Sequence, residues 1–176
     1  MKPTDPNPVK LMIGVLYSDA DQLPCATSRL QEEYGAIDFC SDPFLFEITD
    51  YYNAEMGSPI FRLFYAFEHL INPGLLAPIK IACNKIEDDL TVLGQRKINL
   101  DPGYMDYDKI VLASAKYNAH KIYLDLGIYA DLTLRYEKGH YIPSPWCFPD
   151  YKSPVYEEIL LKIRARYKGQ LRKLKK

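Results

Sequence analysis

The chain has 176 residues, 48% of them hydrophobic and 26% charged, with a formal net charge of −1. Those values exclude general disorder and suit one compact domain spanning residues 1–176. The longest uninterrupted apolar run, residues 11–17, is far short of the roughly 20 residues of a membrane helix, and no apolar leader precedes a small-residue cleavage site.

In chain order, residues 9–17 read as a buried strand and residues 27–34 as a short helix closed by Gly35. A second strand over 37–48 is interrupted at Asp42-Pro43, because proline brings no ladder donor. A polar, aromatic connection, 50–57, leads to a dense Ile, Leu and aromatic run at 60–67 that suits a central strand. Asn72-Pro73 is a cap followed by a first-turn proline. Leu75, Ile79, Cys83, Ile86, Leu90 and Leu93 then recur at helical spacing up to Gly94. Residues 97–100 supply a fourth strand, which completes the βαββαβ order of a ferredoxin-like split βαβ core over residues 1–100. The expected class is α+β with a predominantly antiparallel sheet.

Residues 104–152 read as a β-ribbon extension of that core. A strand at 110–115 precedes a long alternation between Lys121 and Glu137. Ile122, Leu124, Leu126, Ile128, Ala130, Leu132 and Leu134 fall on one side; Tyr123, Asp125, Tyr129, Asp131, Thr133, Arg135 and Glu137 fall on the other. Burying the six Leu and Ile would contribute about 9–18 kcal/mol. Gly127 marks a bulge or bend, and Lys138-Gly139 a turn. Trp146, in a proline-stiffened loop, is expected to plug the sheet, with a lid over a pocket as the alternative. Ser153-Pro154 starts a C-terminal helix with an apolar stripe (Tyr156, Leu160, Ile163, Tyr167, Leu171, Leu174) that packs on the sheet and ends in a frayed tail.

Several chemistries are missing. There is no GxxxxGK[ST], GxGxxG, GxSxG or HExxH, and His69, His120 and His140 lack metal-ligand spacing. The thiols of Cys25, Cys40, Cys83 and Cys147 are scattered, which suits a reducing cytoplasm. The basic residues gather at one end: eight of the 22 lie from Lys162 onward, where no acidic residue occurs. A solvated helix face accounts for them, and an RNA contact is the alternative.

Four polar constellations remain. Thr49-Asp50-Tyr51-Tyr52 with Glu55 offers carboxylates and phenols in one loop. Arg96, Asn99, Asp101 and Tyr104 surround an Asp-Pro-Gly turn signal. The ribbon's polar side carries Tyr123 and Tyr129, with His120 at its start. The segment 143–151 holds the only tryptophan.

The motifs at 49–57, 99–104, 112–116, 120–136 and 146–151 together resemble a prokaryotic family known as domain of unknown function 4416, over nearly the whole chain. That family brings no agreed catalytic residues. The resemblance implies that these polar motifs share a pocket.

The expectation is a small anionic metabolite, a nucleotide among the candidates, in a pocket of Arg96, Asn99, Asp101, Tyr104, Tyr123, Tyr129, Asp50 and Tyr51. Asp50, Glu55 and Asp101 would hold Mg²⁺, and His120 would be the acid–base of a hydrolase or transferase step; whether turnover follows stays open. The alternatives are an RNA- or ribonucleoprotein-associated module and a protein-interaction adaptor.

Overall fold

The computed structural model describes residues 2–118 and 120–174. In chain order it forms β1 (Val9–Tyr17), α1 (Leu23–Tyr34), β2 (Ile37–Cys40), β3 (Phe44–Leu45), α2 (Asn53–Met56), β4 (Phe61–Ile71), α3 (Leu76–Asp89) and β5 (Ile98–Met105). There follow β6 (Lys109–Ser114), β7 (Ile122–Asp125), β8 (Ile128–Glu137), β9 (His140–Pro143) and α4 (Glu157–Leu174). The strands make one sheet in the order β2-β4-β1-β5-β6-β8-β7, with β3 beside β4 and β9 beside β8. Every pairing is antiparallel. The molecule is therefore α+β, as its sequence predicts.

Central β1 is buried along its whole length, and its two faces meet different layers. Leu11, Ile13 and Val15 pack with Leu30 of α1 and with Ile79, Cys83 and Ile86 of α3. Met12, with Phe64 of β4, packs instead with Leu160 and Ile163 of α4. Thus α1 and α3 cover one face of the sheet and α4 the other. Buried Lys10 is answered at that second layer, its Nζ donating to Asp38 at 2.5 Å and to Gln170 of α4 at 3.0 Å.

The α3 start behaves as its cap predicts. The Asn72 side chain accepts from the Gly74 N–H at 2.8 Å, and one tight turn over Pro73–Leu75 leads into the helix. Asn72→Ala should cost about 1 kcal/mol. Thermal unfolding would register this as a midpoint lower by roughly 2–4 °C; an unchanged midpoint would contradict the capping role.

Five local expectations are corrected. Helix α1 begins at Leu23, four residues early, because Pro24 suits a first turn. Helix α3 stops at Asp89 rather than Gly94. Leu93 and Gly94, both at positive φ (51° and 76°), form the centre of a tight turn closed by Val92 and Gln95, which leaves Leu93 fully exposed. Leu75 likewise lies outside the stripe and is exposed. Asp101-Pro102-Gly103 is no turn but the middle of β5, where Pro102 faces Ile13 of β1 and Gly103 faces Leu112 of β6. Helix α4 runs to Leu174, which is exposed instead of packed with the rest of its stripe; residues 175–176, part of the expected frayed tail, lie outside the described residues.

The fifth correction is the ribbon. Leu126 and Gly127, at φ 54° and 75°, make a two-residue hairpin turn that splits it into β7 and β8. A register shift between Ile110 and Val111 in the β6–β8 ladder then moves the apolar residues of β8 onto different faces. Leu134 joins the α4 layer beside Ile110, while Ile128 packs with Val111 and Ala113 near the start of α3. Leu132 and all of β7 stay exposed, so the single apolar face, and the burial energy expected of it, does not form. From the expected polar side, Asp131 and Thr133 are buried instead.

Candidate functional site

The β5–β6 ladder pairs only Gly103–Met105 with Ile110–Leu112. Beyond it, toward Asp101 and Ser114, no pairing joins the two strands, and Pro102 offers no amide donor to extend it. A cleft of about 460 Å³, open to solvent, lies there. Residues from the α2 loop, α3, β5, the end of β6 and the 144–152 loop line it.

On one wall, Arg96 uses three of its five N–H donors within the protein. It donates to Glu87 at 2.6 Å, to Asn99 at 2.9 Å and to Glu55 at 2.8 Å. The other Glu87 oxygen accepts from the Leu100 amide at 2.7 Å and lies 3.7 Å from Lys80 Nζ. Burial pushes the Glu87 carboxyl above its ordinary range, against the pull of Lys80 and Arg96. On the opposite wall, Lys116 donates to the Tyr51 hydroxyl and lies over its ring, 4.2 Å from the centroid.

Behind the cleft lies a smaller chamber that shares Tyr52, Asp101, Ala113, Ser114 and Phe148 with it. Its floor is Arg62 of β4, 3% exposed, reaching Asp101 at 3.3 Å and Asp150 at 3.1 Å. The guanidinium sits between the Phe46 and Phe64 rings, 5.4 and 5.8 Å from their centroids. Asp150 also accepts from the Tyr156 hydroxyl at 3.1 Å. Burial raises the Asp150 carboxyl, with Arg62 opposing, and holds the Tyr151 phenol well above its usual range. Beside the chamber, Lys121 donates to Ser114 Oγ at 2.8 Å and pairs with Asp131 at 3.3 Å.

Of the residues singled out in the sequence, Tyr51, Glu55, Arg96, Asn99 and Asp101 line one cleft. Asp50 does not; its carboxylate accepts from the Asn53 side chain. Tyr104 packs near Leu76 and Val111 and lines a separate groove with Tyr167. Tyr123 and Tyr129 meet edge-on on the β7–β8 hairpin and line neither cavity. His120 Nε2 lies 3.7 Å from Asp131, its ring stacked on Trp146 at 5.4 Å. Trp146 is 65% exposed and is therefore no plug. Among the described residues, no three of His, Cys, Asp and Glu gather as a metal site; Glu55 and Asp101 share the cleft, and Asp50 lies outside it.

Residue-by-residue reading passed over Arg62 and Glu87, while Ser114, Lys116 and Lys121 entered only within the motifs at 112–116 and 120–136 that carry the family resemblance. Arg62 had a signal: a lone charge inside a run of apolar residues is buried with partners or is misplaced. The basic run after residue 161 is partly structural. Arg164 is buried, stacked on Tyr136 at 3.5 Å and bonded to the Tyr107 carbonyl; Lys162 pairs with Glu158 and Arg166 lies over Phe39.

A mainly antiparallel α+β protein with a cleft where two strands part is the class these features define. The chain belongs to the family described as domain of unknown function (DUF4416), whose model matches residues 7–167 and so takes in every residue of the cleft. No curated protein and no solved structure matches it. Among the described residues, no helix is long and apolar enough to cross a membrane.

Proposed function

We propose that the protein binds a small anionic metabolite, a nucleotide as its magnesium complex foremost, in the cleft between β5 and β6. The observation that carries this reading is convergence: segments as distant in sequence as Tyr51 and Phe148 supply polar and aromatic groups to one opening. Tyr51, Tyr52 and Phe148 offer ring faces, and Asn99 and Arg96 offer donors beside Lys116. Four carboxylates in the lining (Glu55, Glu87, Asp88, Asp101) stand against three cations (Lys80, Arg96, Lys116), so a bare polyanion gains little there. Mg²⁺ resolves this, because it is held by one or two carboxylates together with substrate phosphates. Glu55 and Asp101 are the carboxylates of the cleft that take this role, with Asp50 outside it. His120, beside Asp131, is the acid–base residue if a hydrolase or transferase step follows.

Thermal unfolding with a panel of nucleotides and other small anions, with and without Mg²⁺, tests the reading. At a hundredfold excess over Kd, binding adds about 2.7 kcal/mol, a rise of roughly 5–11 °C. Arg96→Ala should abolish the rise relative to its own unliganded midpoint. No rise with any nucleotide or other small anion, or the same rise in Arg96→Ala, would overturn it.

Two further readings accompany this one. The β1-α1-β2 and β4-α3-β5 units form a ferredoxin-like split βαβ core, a reading supported by β4 lying between β1 and β2 and by β1 lying between β4 and β5. The whole chain is one cytoplasmic domain; α4 packing against Met12 and Phe64 supports the first point and four free thiols the second.

A further inference from the structure

Three residues that line the inner chamber each carry a buried polar atom without a hydrogen-bond partner: Asp131 Oδ1, Arg62 Nε and Tyr151 Oη. We infer that it receives one hydroxyl group of the ligand, and that the ligand is a phosphorylated sugar, free or within a nucleotide. The inference rests on the proposed function above and names the substrate class of that site.

The three side chains are each less than 5% exposed, and all line the same chamber. Their remaining bonds are spent elsewhere. Asp131 Oδ2 holds Lys121 while its Oδ1 lies 3.7 Å from His120 Nε2, beyond hydrogen-bond reach; both terminal nitrogens of Arg62 hold carboxylates, and the Tyr151 ring is packed edge-on against Phe64 and Tyr156. Buried polar groups without partners are rare in folded proteins, and three in one cavity mark a place for something that completes them.

Donor and acceptor identities decide what fits. Arg62 Nε only donates, the Asp131 carboxylate only accepts, and the Tyr151 hydroxyl does either. The guest must therefore accept and donate at once. A phosphate monoester dianion or a carboxylate has no proton to give Asp131, and an ammonium has no lone pair for Arg62. A hydroxyl meets both demands, and the chamber has room for little more than one water-sized group. Because the chamber adjoins the cleft at Asp101 and Tyr52, a sugar hydroxyl can enter it while the phosphate stays outside, near Arg96 and Lys116.

Titration calorimetry on the full chain tests this with Mg²⁺ present. The probes are ribose 5-phosphate, the four common ribonucleoside 5′-monophosphates, and the 2′-deoxy and 3′-deoxy forms of whichever nucleotide binds. One deoxy form should bind at least about tenfold more weakly than its parent. Tyr151→Phe should weaken the parent ligand and leave that deoxy form unaffected. It should also keep the wild-type melting midpoint, because its hydroxyl bonds nothing in the free protein. Binding of ribose 5-phosphate would identify the free sugar as sufficient, and binding of nucleotides alone would add a base contact. If both deoxy forms bind as tightly as the parent, or Tyr151→Phe binds like wild type, the chamber holds a structural water only. The inference then falls while the proposed function stands. If another anion stabilises the protein and no sugar phosphate binds, the inference alone again falls; if no anion binds, both fall.

Discussion

Replacing Arg62 with methionine is expected to lower the melting midpoint by roughly 6–20 °C. The substitution keeps much of the apolar stem between Phe46 and Phe64 but removes the cation that answers Asp101 and Asp150. Breaking a buried ion pair from one side costs about 3–5 kcal/mol, since the partner charge is left without compensation. A chain of this size converts each kcal/mol into about 2–4 °C. The deficit should also depend on pH, with a definite sign. Burial already raises the Asp150 carboxyl, Arg62 pulls it back, and the variant lets it rise further. A carboxyl raised in the folded state binds its proton more tightly there than in the unfolded chain. Its stabilising effect is thus complete below the unfolded value, near 4, and disappears as pH climbs through the raised one. Arg62→Met should therefore lose less stability at about pH 5 than at about pH 8. Denaturation curves at both values decide it; a deficit that is flat with pH would refute the ion-pair account.

Gly103→Val should cost roughly 3 kcal/mol, the upper end of what overpacking does. A Cβ at this position would stand 2.6 Å from Leu112 Cδ2 and 2.7 Å from the Val111 carbonyl oxygen. The side chain can turn away, but the carbonyl belongs to the β6 backbone and can move only if the strand does. The glycine is required by close approach between β5 and β6, not by a turn, since its φ lies outside the positive range. Thermal unfolding should show a drop of roughly 6–12 °C. A drop of less than about 2 °C would mean that the strands give way easily here.

That same tripeptide shows where local reading loses its hold. Asp-Pro-Gly has strong turn chemistry in isolation, and nothing within a few residues of it announces that β1 lies on one side and β6 on the other. The β1 strand was legible because nine consecutive buried residues need no partner to be recognised. The Asn72-Pro73 start was legible because capping is settled within four residues. The β7–β8 alternation misled because the β6–β8 ladder shifts register at Thr133, an irregularity that the alternation itself does not announce. For the site, residue type was enough to select Arg96, Asn99, Asp101, Tyr51 and Glu55, which do meet. It was not enough for Lys116, Lys121 or Ser114, whose polar groups become meaningful only once β6 ends beside Tyr51 and Asp131. Tyr104, Tyr123 and Tyr129 drew attention by composition and lie elsewhere.

Helix α4 follows the entire sheet along the chain, and this has a consequence for synthesis. As the polypeptide leaves the ribosome, α1 and α3 can settle on their side while Met12, Phe64, Met105 and Ile110 still await Tyr156, Leu160 and Ile163. A nascent chain whose strands joined before α4 emerged would carry one broad flank greasy and wet, the condition that recruits chaperones. Throughout that interval Arg62 can reach Asp101 but not Asp150, so the charge at the heart of the molecule is only half answered until translation has passed residue 150.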